Sequence, residues 1–83
     1  MRTLTGHSAG VNDVAVSANG RCAVSASDDR TLKVWDLVAG ALVTSFTCDE
    51  PPRCCAFAGD GRIVAGDASG RVHILSLELQ GDN

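Results

Sequence analysis

Short runs of alternating apolar and polar residues, separated by turn signals, make up most of the chain. The runs are rich in Val, Ala, Leu and Thr, and the turns contain Asn19-Gly20, Ala39-Gly40 and Ser69-Gly70. Alternation with a period of two is typical of half-buried strands, and no window repeats apolar residues at the spacing of a helix face. The pattern predicts an all-β chain with strands at 11–16, 22–27, 31–35, 41–46, 53–57, 63–66 and 71–75.

The sequence contains two copies of one unit. Residues 14–21 align with residues 55–62 at an offset of 41, and residues 24–37 align with residues 64–77 at an offset of 40. A period near 40 residues with four strands per unit is typical of propeller blades rather than of helical solenoids. We therefore expect antiparallel sheets arranged as β-propeller blades, one blade per repeat.

The first repeat carries a recognisable set of residues. Gly6-His7 stand at its start, Asn19-Gly20 between two strands, Ser25-Ala26-Ser27-Asp28-Asp29 at the next turn and Val34-Trp35-Asp36 at the end of the third strand. In type and spacing these residues resemble the WD-repeat β-propeller family. The resemblance covers nearly the whole chain.

The second repeat departs from the family pattern. Thr47-Cys48 replace Gly-His, Ala65 replaces the serine, Ser69 replaces the aspartate and Leu75-Ser76 replace Trp-Asp. This repeat is therefore a degenerate blade, identified by its spacing and register.

The resemblance implies a structural role for four polar residues. In the family, residues at the positions of His7, Ser25, Asp29 and Trp35 form a buried hydrogen-bond chain within the blade. A histidine, a serine and an aspartate are also the set that hydrolases use. Because no nucleophile elbow or oxyanion loop accompanies them, we expect a non-enzymatic protein without catalytic residues.

Four cysteines and two histidines raise the question of a metal site. Cys54-Cys55 do not form a C-x-x-C knuckle and Cys48 stands alone, so we expect no bound zinc. The glycine-rich turns lack a phosphate-loop motif, and no cofactor is expected. Adjacent cysteines in a strand point to opposite faces, which favours free, buried thiols and a reducing, cytoplasmic location. His73 receives no role.

Charge and hydropathy exclude two classes of partner. The formal net charge is −3 and the seven basic residues are scattered singly, so no basic stripe is available for nucleic acid. The longest uncharged stretch, residues 37–48, is shorter than the roughly 20 apolar residues of a membrane-spanning helix. The first 20 residues lack the apolar core of a signal peptide. We therefore expect no nucleic acid, no membrane and no secretion.

The order of strands predicts how the chain is divided and assembled. We expect a two-blade unit over 1–83, with an outer strand at 1–5 for a neighbouring chain, a full blade at 6–47, a degenerate blade at 48–79 without its own outer strand, and a disordered tail at 80–83. Propellers close with roughly four to eight blades, so two blades need partners. A homo-oligomeric ring is expected unless the chain is part of a longer propeller. We favour four chains with about eight blades over three chains with about six.

The family resemblance also predicts the function. WD-repeat propellers usually bind partners through loops at one face of the ring, and the equivalent positions here are Gly10, Asn12, Asp28, Pro51, Arg53 and Ala68. We therefore expect a protein-interaction scaffold that binds an unknown protein or peptide. The alternative is the terminal part of a larger regulatory WD-repeat propeller attached to an NTPase or kinase.

Overall fold

The computed structural model describes residues 6–58 and 61–76, which form two antiparallel sheets. The first sheet has the order β1 (Val11–Val16), β2 (Cys22–Ser27), β3 (Thr31–Asp36) and β4 (Ala41–Thr47), and the second has the order β5 (Pro52–Phe57), β6 (Arg62–Asp67) and β7 (Val72–Ser76). The seven predicted strands are confirmed, with ends that shift by one residue at most. The predicted outer strand at 1–5, the end of the degenerate blade at 77–79 and the tail at 80–83 lie outside the described residues.

The core lies between the two sheets and is built from small aliphatic side chains. Buried residues of β2 and β3 face buried residues of β5 and β6, and half-buried side chains such as Phe46 and Leu75 close the margin. The alternation of each strand decides which side chains face inward. The buried cluster consists of Val24, Ala26, Leu32, Val34, Cys55, Ile63 and Ala65.

Each sheet has a second face that is apolar and open. On the first sheet this face carries Val14 and Val16, which are 56% and 55% exposed, and the register places Trp35 beside them through Ala23. We call it the leading face. On the second sheet the open face carries Ala56, Val72 and Ile74, and the two larger side chains are 68% and 69% exposed. We call it the trailing face.

Inner strands β1 and β5 begin with a bulge at the same repeat position. The β1–β2 register shifts between Val11 and Asp13, and the β5–β6 register shifts between Pro52 and Cys54. A bulge adds one unpaired residue and re-aims its side chain. The extra residues are Asn12 and Arg53, which are equivalent at the repeat offset of 41.

The four cysteines differ in their exposure. All four are free, but only Cys55 is buried, while Cys22 and Cys48 are half-buried and Cys54 is exposed. The expectation of buried thiols was therefore wrong for three of them. Cys54 is exposed because the alternation of β5 turns it to the trailing face. Burial, the nearby Asp13 carboxylate and Cys54 raise the pKa of the Cys55 thiol to about 11.

No helix in the part of the chain that the structure describes is long and apolar enough to cross a membrane.

The β2–β3 turn contains a residue with an unfavourable backbone conformation. Arg30 has a φ of 72°, and the equivalent position in the second sheet is Gly70 with a φ of 91°. Two backbone bonds hold the turn, since the Arg30 N–H donates to Ser27 O at 3.1 Å and the Arg30 carbonyl accepts from Cys48 N at 2.7 Å. Left-handed backbone costs a residue with a side chain roughly 1–2 kcal/mol, a cost that glycine avoids.

Replacing this arginine tests the cost. Arg30→Gly should raise the free energy of unfolding by about 0.5–1 kcal/mol, because the relieved strain exceeds the added flexibility of the unfolded chain. Arg21→Gly is the matched control, since Arg21 is also an exposed turn residue but is not among those with positive φ. Thermal and denaturant unfolding at one protein concentration should show stabilisation only for Arg30→Gly. Equal destabilisation by both changes would contradict the strain argument.

Candidate functional site

A continuous hydrogen-bond chain crosses the first sheet. The indole N–H of Trp35 donates to Ser25 Oγ at 2.9 Å, Ser25 Oγ lies 2.6 Å from His7 Nε2, and His7 Nδ1 lies 2.9 Å from Asp29 Oδ2. Because an indole only donates, the serine hydroxyl donates onward to Nε2, and Nδ1–H donates to the carboxylate. The structure thus brings together all four residues that the family resemblance singled out.

Asp29 anchors this chain through additional donors. Its Oδ1 accepts from the Thr31 hydroxyl and N–H, and its Oδ2 accepts from the Ser8 N–H as well as from His7. Burial by itself raises the pKa of the carboxyl, but these hydrogen bonds together lower it well below the ordinary value. Because the folded-state pKa is lowered, the stabilisation is present above the ordinary pKa and is lost as the pH falls. Thr31 was not predicted.

The Trp35 ring explains the glycine before the histidine. A Cβ added to Gly6 would lie 2.9 Å from Cη2 of the indole, which is closer than real Cβ atoms approach their neighbours. The His7 ring meets the same indole edge-on, with centroids 6.3 Å apart and planes at 67°. The entry segment therefore passes directly over the ring and leaves Trp35 only 7% exposed.

The second sheet has a different buried polar pair, which sequence reasoning missed. His73 Nε2 lies 2.8 Å from Asp67 Oδ2, and the Asp67 side chain is 1% exposed. Asp67 Oδ1 accepts from Ser69 N–H, Ser69 Oγ–H and Arg71 N–H. The bonds from His73 and Ser69 hold the pKa of Asp67 well below its usual range. A signal was present, because Asp67 alternates with Ile63 and Ala65 on an inward face and so requires a partner.

The six candidate binding residues lie at one end of the two sheets, where β1 and β5 begin and β2 and β6 end. Gly10, Asn12, Asp28, Arg53 and Ala68 are exposed, whereas Pro51 is half-buried. The Asp28 N–H donates to Gly10 O at 2.9 Å, and the Ala68 N–H donates to Pro51 O at 3.1 Å. We call this surface the loop end.

Two polar side chains join the sheets at the loop end. Asn12 Nδ2 donates to Asp28 Oδ1 in its own sheet and to Pro52 O in the second, both at 2.9 Å. Asp13 Oδ2 accepts from Cys55 N–H at 3.0 Å, and its Oδ1 accepts from Val14 N–H at the same distance. The role of Asp13 was not predicted, since it depends on how the two sheets pack.

The described residues offer little for metal chemistry. Within residues 6–58 and 61–76 no group of three or more His, Cys, Asp and Glu side chains is placed to hold a metal ion. Each of the two His–Asp contacts brings together only two such side chains. Hydrogen bonds to neighbouring groups already engage these side chains.

Comparison with known sequences points to one family. The family model described as WD domain, G-beta repeat, matches residues 1–36. WD repeat-containing protein 36 of Homo sapiens is 34% identical over 65 residues, which is 78% of this chain and 7% of that protein. Nuclear distribution protein PAC1 of Arthroderma otae is 43% identical over 61 residues, which is 70% of this chain and 13% of that protein. Pre-mRNA-processing factor 17 of Homo sapiens is 38% identical over 60 residues, which is 72% of this chain and 10% of that protein. The chain thus spans a small part of each relative.

Solved structures agree on the fold. The computationally designed Ika4 protein superposes with a TM-score of 0.80 at 28% identity, covering 90% of this chain and 46% of that chain. The β-propeller domain of Cps50 (Swd1) from Myceliophteria thermophila superposes with a TM-score of 0.85 at 20% identity, covering 93% and 25%, and shows the fold alone. With the WD motif in the first repeat and the repeat period of both sheets, these findings show that the chain belongs to the WD-repeat family of β-propeller proteins.

Proposed function

We propose that this chain supplies two blades of a closed WD-repeat propeller that acts as a protein-interaction scaffold. The observation that carries the proposal is the relation between the open and the buried faces. Val14 and Val16 on the leading face are the repeat equivalents of Cys55 and Phe57, which pack against the first sheet. The leading face is therefore built to receive another blade.

The trailing face shows the same relation. Val72 and Ile74 are the equivalents, at an offset of 40, of Leu32 and Val34, which are fully buried between the sheets. A trailing face is thus a suitable partner for the leading face of another copy. Such a contact is head-to-tail, and it forms a ring when its rotation closes. We propose four copies with about eight blades, with three copies and about six blades as the second choice.

The hydrogen-bond chain of the first blade supports a structural role rather than catalysis. Ser25 is 5% exposed, and its hydroxyl oxygen already accepts the Trp35 N–H. Among the described residues no buried side-chain polar atom lacks a partner. A network that is fully satisfied stiffens one arrangement of the blade, so we propose a non-enzymatic protein.

The loop end is the proposed surface for a protein or peptide partner. Its exposed residues come from both blades. Exposed residues of both charges stand in or next to its loops, namely Asp28, Arg30, Asp49, Glu50 and Arg53. Arginine is enriched at protein interfaces, and the polar rim suits a partner that binds reversibly. Four free thiols support a reducing compartment such as the cytoplasm.

Removing the central hydroxyl tests the structural role of the chain. Ser25→Ala should lower the free energy of unfolding by about 1–3 kcal/mol, because it leaves the Trp35 N–H and a ring nitrogen of His7 without partners. Trp35→Phe should destabilise in the same direction. Ser45→Ala is the matched control, since Ser45 is an exposed strand serine. Melting curves at one fixed protein concentration measure the effect. Equal curves for Ser25→Ala and Ser45→Ala would contradict the structural role of the hydrogen-bond chain.

The native mass tests the ring. Light scattering should give about four times the chain mass of 8.5 kDa, or three times for the smaller ring. Val14→Asp should abolish assembly, because it buries a carboxylate in an apolar contact without a partner. Ala18→Asp, in an exposed turn away from both apolar faces, should leave the mass unchanged. A folded wild-type monomer would contradict the ring of copies and favour further blades within a longer polypeptide.

Site-specific crosslinking tests the loop end. A photoreactive amino acid at Ala68 should crosslink a partner protein in the native cells, whereas one at Ala39 should not. Ala39 is equally exposed but lies in the β3–β4 turn at the opposite end. Once mass spectrometry has identified the partner, titration with purified components should show weaker binding for Ala68→Arg than for Ala39→Arg. Equal crosslinking from both positions would contradict the assignment of the loop end.

A further inference from the structure

The junction inside the chain shows how one blade contacts the next at the loop end. Asn12, the extra residue of the β1 bulge, donates to Asp28 in its own blade and to the carbonyl of Pro52 in the following blade. Its side chain thus lies across the junction. The Asn12 amide is fixed by one hydrogen bond to each blade. Its contact with the following blade is to a backbone carbonyl and is therefore uncharged.

The second blade carries a different residue at this position. Arg53 is the extra residue of the β5 bulge and the repeat equivalent of Asn12. Ala68 is the equivalent of Asp28, so Arg53 has no carboxylate at that place in its own blade. Arg53 is exposed, and no ion pair joins it to another residue of the described segments 6–58 and 61–76. Among the described residues, the Arg53 guanidinium of the second blade is therefore available for a contact with a neighbouring copy.

The repeat also identifies what Arg53 would meet in the next copy. Val11 is the equivalent of Pro52, so the carbonyl of Val11 in a neighbouring copy takes the place of the acceptor that Asn12 uses. Asp28 lies beside this position, because its N–H donates to Gly10 O and its Oδ2 lies 4.0 Å from an ideal Cβ on Gly10. Within the described part of the chain Oδ2 accepts no hydrogen bond, since Asn12 uses Oδ1.

We propose that Arg53 forms a charged contact with Asp28 of a neighbouring copy and thereby holds the junction between chains. This inference rests on the ring of the proposed function. The guanidinium is longer than the amide of Asn12 and offers several N–H donors, so it spans the Val11 carbonyl and the free carboxylate oxygen together. The junction within a chain uses an amide, and the junction between chains uses an ion pair. Arg53 thus acts between copies at the loop end.

Charge reversal with rescue tests the pair in the full chain. Arg53→Glu places two carboxylates at every junction between copies and should raise the concentration for half-dissociation of the ring on the order of tenfold. Adding Asp28→Arg to the same chain restores opposite charges at the junction, but it also removes the acceptor that Asn12 uses within its own blade. Asp28→Arg alone is therefore measured as well, and the double variant should assemble at a lower concentration than either single variant. Arg62→Glu is the matched control, because Arg62 is exposed at the opposite end of the second blade. Sedimentation velocity over a dilution series measures the wild type and these four variants, and circular dichroism checks that each remains folded.

The outcomes separate this inference from the proposed function. Dissociation of Arg53→Glu, together with a double variant that assembles better than either single variant, supports the pair. A wild-type ring in which Arg53→Glu and Arg62→Glu behave alike would overturn the pair and leave the ring in place. A double variant that assembles no better than Asp28→Arg alone would also overturn the pair, since opposite charges would then bring no gain in assembly. A wild-type monomer would overturn both the ring and the pair.

Discussion

A blade is a sheet with two apolar faces, and one neighbour covers only one of them. The first sheet buries Val24, Leu32 and Val34 against the second sheet, while Val14 and Val16 on its other face remain more than half exposed. Covering apolar surface is the main driving force for association, at about 25 cal/mol per Å². The arrangement of the two blades follows from that constraint, because each repeat supplies the same pair of apolar faces. Two blades therefore always leave one leading and one trailing face open.

The two blades satisfy their buried polar groups in different ways. In the first blade, the indole N–H of Trp35 needs an acceptor. Ser25 accepts it and donates to His7, and His7 donates to Asp29. In the second, Leu75 stands where the tryptophan would be, so this demand is absent. Asp67 instead brings a carboxylate inside, and His73 from the adjacent strand satisfies it. A blade that has lost the family motif thus still pairs its buried carboxylate.

The strands and the first hydrogen-bond chain follow from the sequence because both depend on local pattern. Alternation locates β1 to β7 within a residue, and His7, Ser25 and Asp29 stand at recognisable distances from Trp35. The pair of Asp67 and His73 was missed, since the first repeat has Ser27 and Lys33 at these positions and so offers no such pair as a guide. The contacts of Asn12 and Asp13 with the second sheet join residues about 40 positions apart. Such contacts depend on how sheets pack, which no local pattern determines.

In the ring that we propose, the Asp13 carboxylate lets the two kinds of junction differ without leaving the Val14 N–H unpaired. Within the chain it accepts the N–H of Cys55, yet its repeat equivalent Cys54 has only a weakly accepting sulfur. In a neighbouring copy, the N–H at the position facing Cys54 belongs to Val14, which is the repeat equivalent of Cys55. That N–H already donates to the carboxylate of its own Asp13. In the proposed ring, the first blade therefore brings this donor to the junction already satisfied, and the cysteine in place of the aspartate in the second blade removes no hydrogen bond there.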